Sequence, residues 1–180
     1  DAETLRSVAL PLAVNAGEDE IMLLDLSGAS VMTLTHTPNG GPADYEFTRG
    51  GQNPRGWAFV QRVLAEETDQ SGDKFAGFAP GGLGETFYVS GPVFDAQGSL
   101  AGVALVGKSL DVLVRQMSAA TLSDISLYNL QGQPIASTLF SQSQIFPVSQ
   151  QQVLEAVKRQ DQSSQTRDLT VSTTDYAEIL

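Results

Sequence analysis

The sequence predicts an α/β chain of the α+β type: one antiparallel sheet module behind an N-terminal helix, followed by part of a second such module. Three observations carry this reading. The stretch Glu85–Asp111 reads as strand, turn, strand and helix in unbroken succession. Ile21, Leu23, Asp25, Leu26, Gly28, Val31 and Thr33 recur, one small α/β module later, as Ile125, Leu127, Asn129, Leu130, Gly132, Ile135 and Ser137. Ahead of the first copy, Leu5, Val8, Ala9, Leu12 and Ala13 stand at helical spacing. Two unrelated hairpins sharing one turn chemistry would also explain the recurrence.

Taken in order, Asp1–Ala16 reads as the end of a helix, with Pro11 placed to kink or end it. Ile21–Leu26 is a strand, Ser27-Gly28 its turn and Val31–Thr35 the return strand. Thr37–Pro42 has loop composition, and Tyr45–Arg49 is a short extended piece. Trp57, Val60, Gln61 and Leu64 mark an amphipathic helix over Trp57–Ala65. Asp69–Asp73 is a turn, Lys74–Phe78 a strand and Ala79–Gly84 a loop. Thr86–Phe94 and Ser99–Val106 are rich in β-branched and aromatic residues around the turn Asp95-Ala-Gln-Gly98. A helix runs from Leu110 to about Met117. After the second copy come a helix, Gln150–Arg159, and a strand, Asp168–Ser172. The expected organisation is a helix end at 1–20, a first module at 21–118 and a partial second module at 119–180. The second lacks an equivalent of the central hairpin.

Composition narrows the function. The 180 residues are 41% hydrophobic, enough for a core. Ten Lys+Arg against 21 Asp+Glu give a net charge of −11, which repels nucleic-acid phosphates and anionic membrane surfaces. Cysteine is absent and His36 is the single histidine, so disulfides, thiolate metal sites and His-rich zinc sites are excluded, and no metal or cofactor is expected. No apolar run approaches the roughly 18 residues of a membrane span. No signal peptide is visible, and Asp at position 1 leads us to expect that the numbering begins inside a longer protein.

Tyr88-Val-Ser-Gly-Pro-Val-Phe-Asp-Ala-Gln-Gly98, followed by Gly102-Val-Ala-Leu-Val-Gly107, resembles the central hairpin of the Cache family. Its double form sets two PAS-like modules on one long N-terminal helix. The resemblance covers Ile21 to about Met117, and Ile125 onward as a partial PAS-like second module. It implies an extracytoplasmic small-molecule sensor, membrane-distal module first, of a membrane-anchored histidine kinase, cyclase or chemoreceptor. Any catalytic output would lie outside this chain, and a homodimer could form through the N-terminal helix.

PAS-like modules hold ligands between the sheet and a loop–helix cover. The resemblance puts Tyr45, Phe47, Arg49, Arg55 and Trp57 in one part of that cover and Phe75 in another. Tyr88, Ser90 and Lys108 stand on the central hairpin. Arginine forks grip a carboxylate and aromatic rings wall the remainder. A core tryptophan with solvated or ion-paired arginines is the competing structural reading. Amino-acid-binding members carry an Arg-x-Trp-Tyr element and a later Asp for the ligand's amine. Here Arg55-Gly-Trp57 fits, but Ala58 replaces the Tyr and Gly107-Lys108 falls at the Asp. Lysine donates and cannot hold an ammonium, so a small carboxylate or another anion is the expected ligand.

Gly102-Val-Ala-Leu-Val-Gly-Lys-Ser109 matches the P-loop string. A P-loop needs its strand before the first glycine, whereas here the intervening Val-Ala-Leu-Val is itself the strand, so nucleotide binding is the weaker alternative. His36 sits in a turn context without a nucleophile elbow. Asp69–Asp73 lacks the full calcium-loop series. A ligand-free structural or dimerisation module is the remaining alternative. It would fill the space under Arg55 and Trp57 with side chains, where a sensor would leave a polar pocket.

Overall fold

The computed structural model describes residues 2–139, 147–158, 166–171 and 174–180. The chain divides into two compact units, Asp1–Ser109 and Leu110–Leu180. In the first, helix α1 (Ala2–Ala16) leads into strands β1 (Glu20–Leu24), β2 (Ser30–His36) and β3 (Tyr45–Thr48). A 3-10 turn at Pro54–Gly56 and helix α2 (Ala58–Leu64) follow, then β4 (Phe75–Gly81), β5 (Gly84–Phe94) and β6 (Leu100–Ser109). The six strands form one antiparallel sheet in the order β3-β2-β1-β6-β5-β4.

Alternation along each strand gives the sheet two working faces. On the front, Met22, Leu24, Val103, Leu105, Tyr88 and Phe75 meet Phe59, Val60 and Val63 of α2. On the reverse, Ile21, Met32 and Leu34 meet Ala9 and Ala13 of α1, with Leu5, Tyr45 and Phe47 at the margin. Each fully buried aliphatic side chain contributes roughly 1.5–3 kcal/mol. Gly17, Glu18 and Asp19 join α1 to β1. Lys108 Nζ donates to the Gly17 carbonyl and lies 3.7 Å from the Glu18 carboxylate. Tyr45 OH donates to the Glu18 carbonyl at 2.6 Å, and Asp19 Oδ2 accepts the Ser109 N–H at 2.8 Å.

Several elements run further than the sequence predicts. Pro11 neither ends nor interrupts α1. Its ring is on the exposed side, and the Ser7 carbonyl that loses its N–H partner belongs to an exposed residue rather than to the packed face. The Ala79–Gly84 segment is not a loop: β4 continues to Gly81, tolerating Pro80 because it is an edge strand, and β5 begins at Gly84. Strand β6 reaches Ser109, and the following helix α3 spans Leu110–Thr121.

One turn design closes three hairpins. Asp25 Oδ1 accepts the Ser27 and Ala29 N–H groups at 2.8 and 3.2 Å, and Gly28 takes φ +81°. Asp95 does the same for Gln97 and Ser99, both at 2.9 Å, with Gly98 at φ +80°. In the second unit Asn129 serves Gln131 and Gln133 at 3.0 and 2.9 Å. That unit contains α3, β7 (Ser126–Tyr128), β8 (Pro134–Ser137), α4 (Gln150–Lys158), β9 (Thr166–Val171) and β10 (Thr174–Ile179). Among the described residues β7–β8 and β9–β10 are separate antiparallel pairs. Arg159 and Ser172, the expected ends of α4 and β9, lie outside the described residues.

Two outcomes follow from the turns. A Cβ at Gly98 would meet nothing within 4 Å, whereas one at Gly28 would stand 2.6 Å from Arg55 Cβ. Gly98→Ala therefore loses about 1–2 kcal/mol of stability to backbone strain alone, and Gly28→Ala loses clearly more, compared by urea midpoints. Equal losses would show that the Pro54–Gly56 turn moves aside freely. The Asp25 carboxyl is lowered from its ordinary value, first by the Ser27 hydroxyl and, more weakly, by backbone N–H groups. A depressed folded value stabilises above the unfolded aspartate value of about 3.9 and is lost as pH falls through the folded one. Asp25→Asn, which copies Asn129, should flatten the acid limb of the stability–pH curve. An unchanged limb would assign acid loss to other carboxylates.

Candidate functional site

The site begins with the cross-strand register. Glu46, Thr35, Glu20, Gly107 and Tyr88 lie in one row across β3, β2, β1, β6 and β5. A Cβ at Gly107 would stand 2.6 Å from Tyr88 Cε1, so the missing side chain lets the Tyr88 ring lie across β6. The Tyr88 OH thereby reaches Glu20 Oε1 at 3.0 Å, while Glu20 Oε2 accepts the Gly82 N–H at 2.7 Å. Glu20 is 1% exposed and Tyr88 is fully buried. Burial, and then the Glu20 carboxylate, push the Tyr88 phenol far above its ordinary value, so it remains a neutral donor.

Beside this pair opens a groove of about 290 Å³. Thr33, Thr35, Glu46 and Thr48 of β2 and β3 line it, with Gln52 and the backbone of Gly50, Gly51 and Gly82. The wall supplies hydroxyls, a carboxamide, a carboxylate and peptide groups, and no basic side chain. Thr33 is buried at its floor and Glu46 is exposed at its lip.

The residues expected to bind ligand are divided by the sheet. Trp57, Phe75, Tyr88 and Ser90 are on the front. Trp57 packs on Tyr88 and Phe59 with ring centroids 5.2 and 5.5 Å apart, so aromatic rings fill the space beneath it. Ser90 is buried with its hydroxyl between the Phe59 and Phe75 carbonyls, at 2.8 and 3.0 Å. Tyr45, Phe47, Arg49 and Lys108 are on the reverse. Arg49 pairs with Glu3 of α1 at 2.6 Å and stands 5.9 Å from the Phe47 ring centre. Burial, then Asp19 and Glu18, raise the Tyr45 phenol. Arg55 is exposed on the 3-10 turn, its N–H bonded to Asn53. The basic residues are therefore not brought together.

Sequence reasoning passed over Glu20, Thr33, Thr35, Glu46, Thr48 and Gln52. The available signal was a polar residue at every second position, Thr33 with Thr35 and Glu46 with Thr48, opposite the apolar set. Glu20 stood one residue outside the expected strand.

The other depressions have different chemistry. One of about 380 Å³ between α2 and the β4 edge is walled by Trp57, Phe59, Phe75 and Phe78, with the Arg62 guanidinium 3.7 Å over Phe75. Arg62 is also held by Glu67 and Asp69, so part of the acidic Asp69–Asp73 turn is engaged internally. In the second unit a cavity of about 510 Å³ is mostly apolar, with Tyr128 and Glu178 in its wall. Tyr128 donates to Glu178 at 2.6 Å, and burial first, then Glu178, push its phenol up to about 12. The P-loop-like string Gly102–Ser109 is strand β6, laddered to β1 and β5, so its backbone cannot cradle a phosphate.

This architecture has solved counterparts at low identity, which establish likeness of fold. One is a domain of a protein assigned to the sensory box/GGDEF family from Vibrio parahaemolyticus, 12% identical with a TM-score of 0.58, covering 81% of this chain and 56% of that one. A second is the extracellular domain of a protein assigned as a histidine kinase, 10% identical with a TM-score of 0.61, covering 95% and 72%. A third is an extracellular ligand binding receptor from Desulfohalobium retbaense, 13% identical with a TM-score of 0.53, covering 89% and 29%. The chain thus spans about half the length of the first and less than a third of the last. No curated protein matches in sequence. A double Cache family model described as "Double sensory domain of two-component sensor kinase" matches residues 1–180, and the chain therefore belongs to that family of extracytoplasmic sensory domains.

Proposed function

We propose that the first unit senses a small polar molecule in the groove between β2–β3 and the Gly82 turn. The observation that carries this is the groove's lining: threonine hydroxyls, Gln52 and Glu46 above the buried Glu20, on the face that also bears α2. The resemblance led us to expect a small carboxylate. The groove's own chemistry suits an amine-bearing or hydroxyl-rich ligand better. An ammonium can donate to Glu46 and to threonine oxygens, whereas a carboxylate would face Glu46 with no cation in the wall. Binding acts on signalling only through its differential affinity for two states of the domain.

In this reading the chain performs no catalysis, and the output lies in other parts of a membrane-anchored kinase, cyclase or chemoreceptor. The parent pairs through α1, whose Val8 and Leu12 are 61% and 60% exposed. One observation favours a second reading, a ligand-free structural module: the space under Trp57 is filled by Phe59, Phe75 and Tyr88.

A thermal-shift screen against amines, polyols and carboxylates tests the proposal. At 100 times its dissociation constant a ligand adds about 2.7 kcal/mol, visible as a raised midpoint. An amine or polyol should raise it, and Glu46→Gln or Thr35→Val should remove most of the rise. A rise with carboxylates that depends on Arg49 or Arg55 would restore the anion reading. No rise with any class would leave the structural module.

A further inference from the structure

Strand β4 ends the sheet opposite β3, with β5 as its one neighbour among the described residues. The hairpin that it forms with β5 fixes which of its backbone groups face outward. Gly81 and Gly84 flank a two-residue turn, so they make a hydrogen-bonded pair, and the pairs alternate along the ladder from there. Pro80, Phe78 and Ala76, opposite Glu85, Phe87 and Val89, therefore point their N–H and C=O groups away from β5. Pro80 fits this pattern, since it has no N–H to give to a ladder. Ala76 and Phe78 each offer a donor and an acceptor to the open side, and Pro80 offers an acceptor.

Beside this edge lies the depression of about 380 Å³ between α2 and β4, walled by Trp57, Phe59, Phe75 and the Arg62 guanidinium. Gly77 lies in the same wall. A Cβ there would stand 2.3 Å from Phe59 Cδ1, so the bare backbone lets that ring lie against the strand. A strand added outside β4 would carry one residue opposite Gly77 on this face, and its side chain would lie along the rings. Past Phe75 the β4 ladder stops, while β5 continues to Phe94. Glu66, Glu67 and Asp73 border a smaller depression there, with Pro92 and the half-exposed Phe94. At this end Glu66, Glu67, Asp69 and Asp73 outnumber the bases Arg62 and Lys74 with which they pair.

We propose that β4 takes up an extended segment of a partner protein as a seventh strand of the sheet. The segment sets a large apolar side chain opposite Gly77 and directs a basic one toward Glu66, Glu67 and Asp73. Three features select this occupant. Outward N–H and C=O groups on alternate residues are matched by an extended main chain, not by a helix or a small molecule. The aromatic wall receives one bulky apolar side chain, and the carboxylates at its end favour a cation. The ladder is short, so a segment already held extended in a folded protein loses less freedom on binding than a free chain. A second copy of this chain fits worse. Its β4 would set Gly77, Ala79 or the already buried Phe75 opposite Gly77, and would bring like charge to the acidic end. The site is at the edge of the sheet away from β3, and it does not depend on the reading of the β2–β3 groove.

The probe is a backbone-cyclised hairpin peptide whose outer strand reads Lys-Thr-Phe-Thr-Lys, its threonines aligned with Ala76 and Phe78. Trp57 is the single tryptophan and lines the pocket, so its fluorescence reports binding. The full chain should bind the peptide saturably, and amide exchange at Ala76 and Phe78 should slow at least tenfold. N-methylation of the two threonines removes the ladder bonds, keeps the side chains and should weaken binding at least tenfold. Ala76→Pro should do the same from the protein side, since the N–H lost at this exposed edge position serves no bond within the sheet; circular dichroism checks its fold. Replacing the peptide's lysines by glutamates should also weaken binding. If the N-methylated peptide binds as well as its parent, the pocket grips a side chain alone and strand addition is overturned. Equal binding of the glutamate peptide overturns the basic flank. The absence of both a Trp57 response and amide protection overturns the proposal outright. A dimer of the chain in sedimentation that Ala76→Pro abolishes would make a second copy the occupant, and overturn the partner protein.

Discussion

The pairing of β1 with β6 holds the first unit together. Without it the first unit would be two three-stranded meanders, β1–β2–β3 and β4–β5–β6, with no common front core. The pairing is distant in sequence, so its loop-closure entropy is offset by what it assembles. It joins the Met22 and Leu24 side of the front core to Val103 and Leu105. It also sets Glu20 opposite Gly107, the one β6 position whose missing side chain lets Tyr88 reach across. The buried carboxylate, the phenol that serves it and the groove beside them all follow from this one register.

The same register explains what was legible in the sequence. The hairpins were, because their turns are local: Asp25, Asp95 and Asn129 each fold the next four residues through their own side-chain oxygen. That locality also limits the repeat argument, since the β5–β6 turn copies the other two without being part of the recurrence. The division of candidate ligand residues between two faces was not legible. Lys108 and Tyr88 share the central hairpin, but their strands present them to opposite sides. Arg49 and Trp57 are near neighbours in sequence, yet one is bound to α1 and the other is packed under α2. Face assignment depends on where each strand begins, to within one residue. Glu20 was missed for that reason.

Charge is distributed unevenly between these faces. On the reverse, the cations near α1 are engaged by it or by the joint that follows it: Arg49 and Arg6 with Glu3, Lys108 with Gly17 and Glu18. On the front, the groove carries Glu46 at its lip and Glu20 beneath, with hydroxyls between. A chain with 10 basic residues can supply few to any one place, and here several of them fasten a helix rather than face the groove.

Glu18 and Asp19 of the joint after α1, with Glu20 at the start of β1, tie these faces into one mechanical piece. Glu18 is clasped from the reverse by Tyr45 and Lys108, Asp19 is bonded to Gly107 and Ser109 in the plane of the sheet, and Glu20 stands beside the groove. Such a short, fully bonded joint has no slack to absorb displacement. It works as a fulcrum: a tilt of Glu20 on one side of the sheet must appear as a tilt of the helix end on the other.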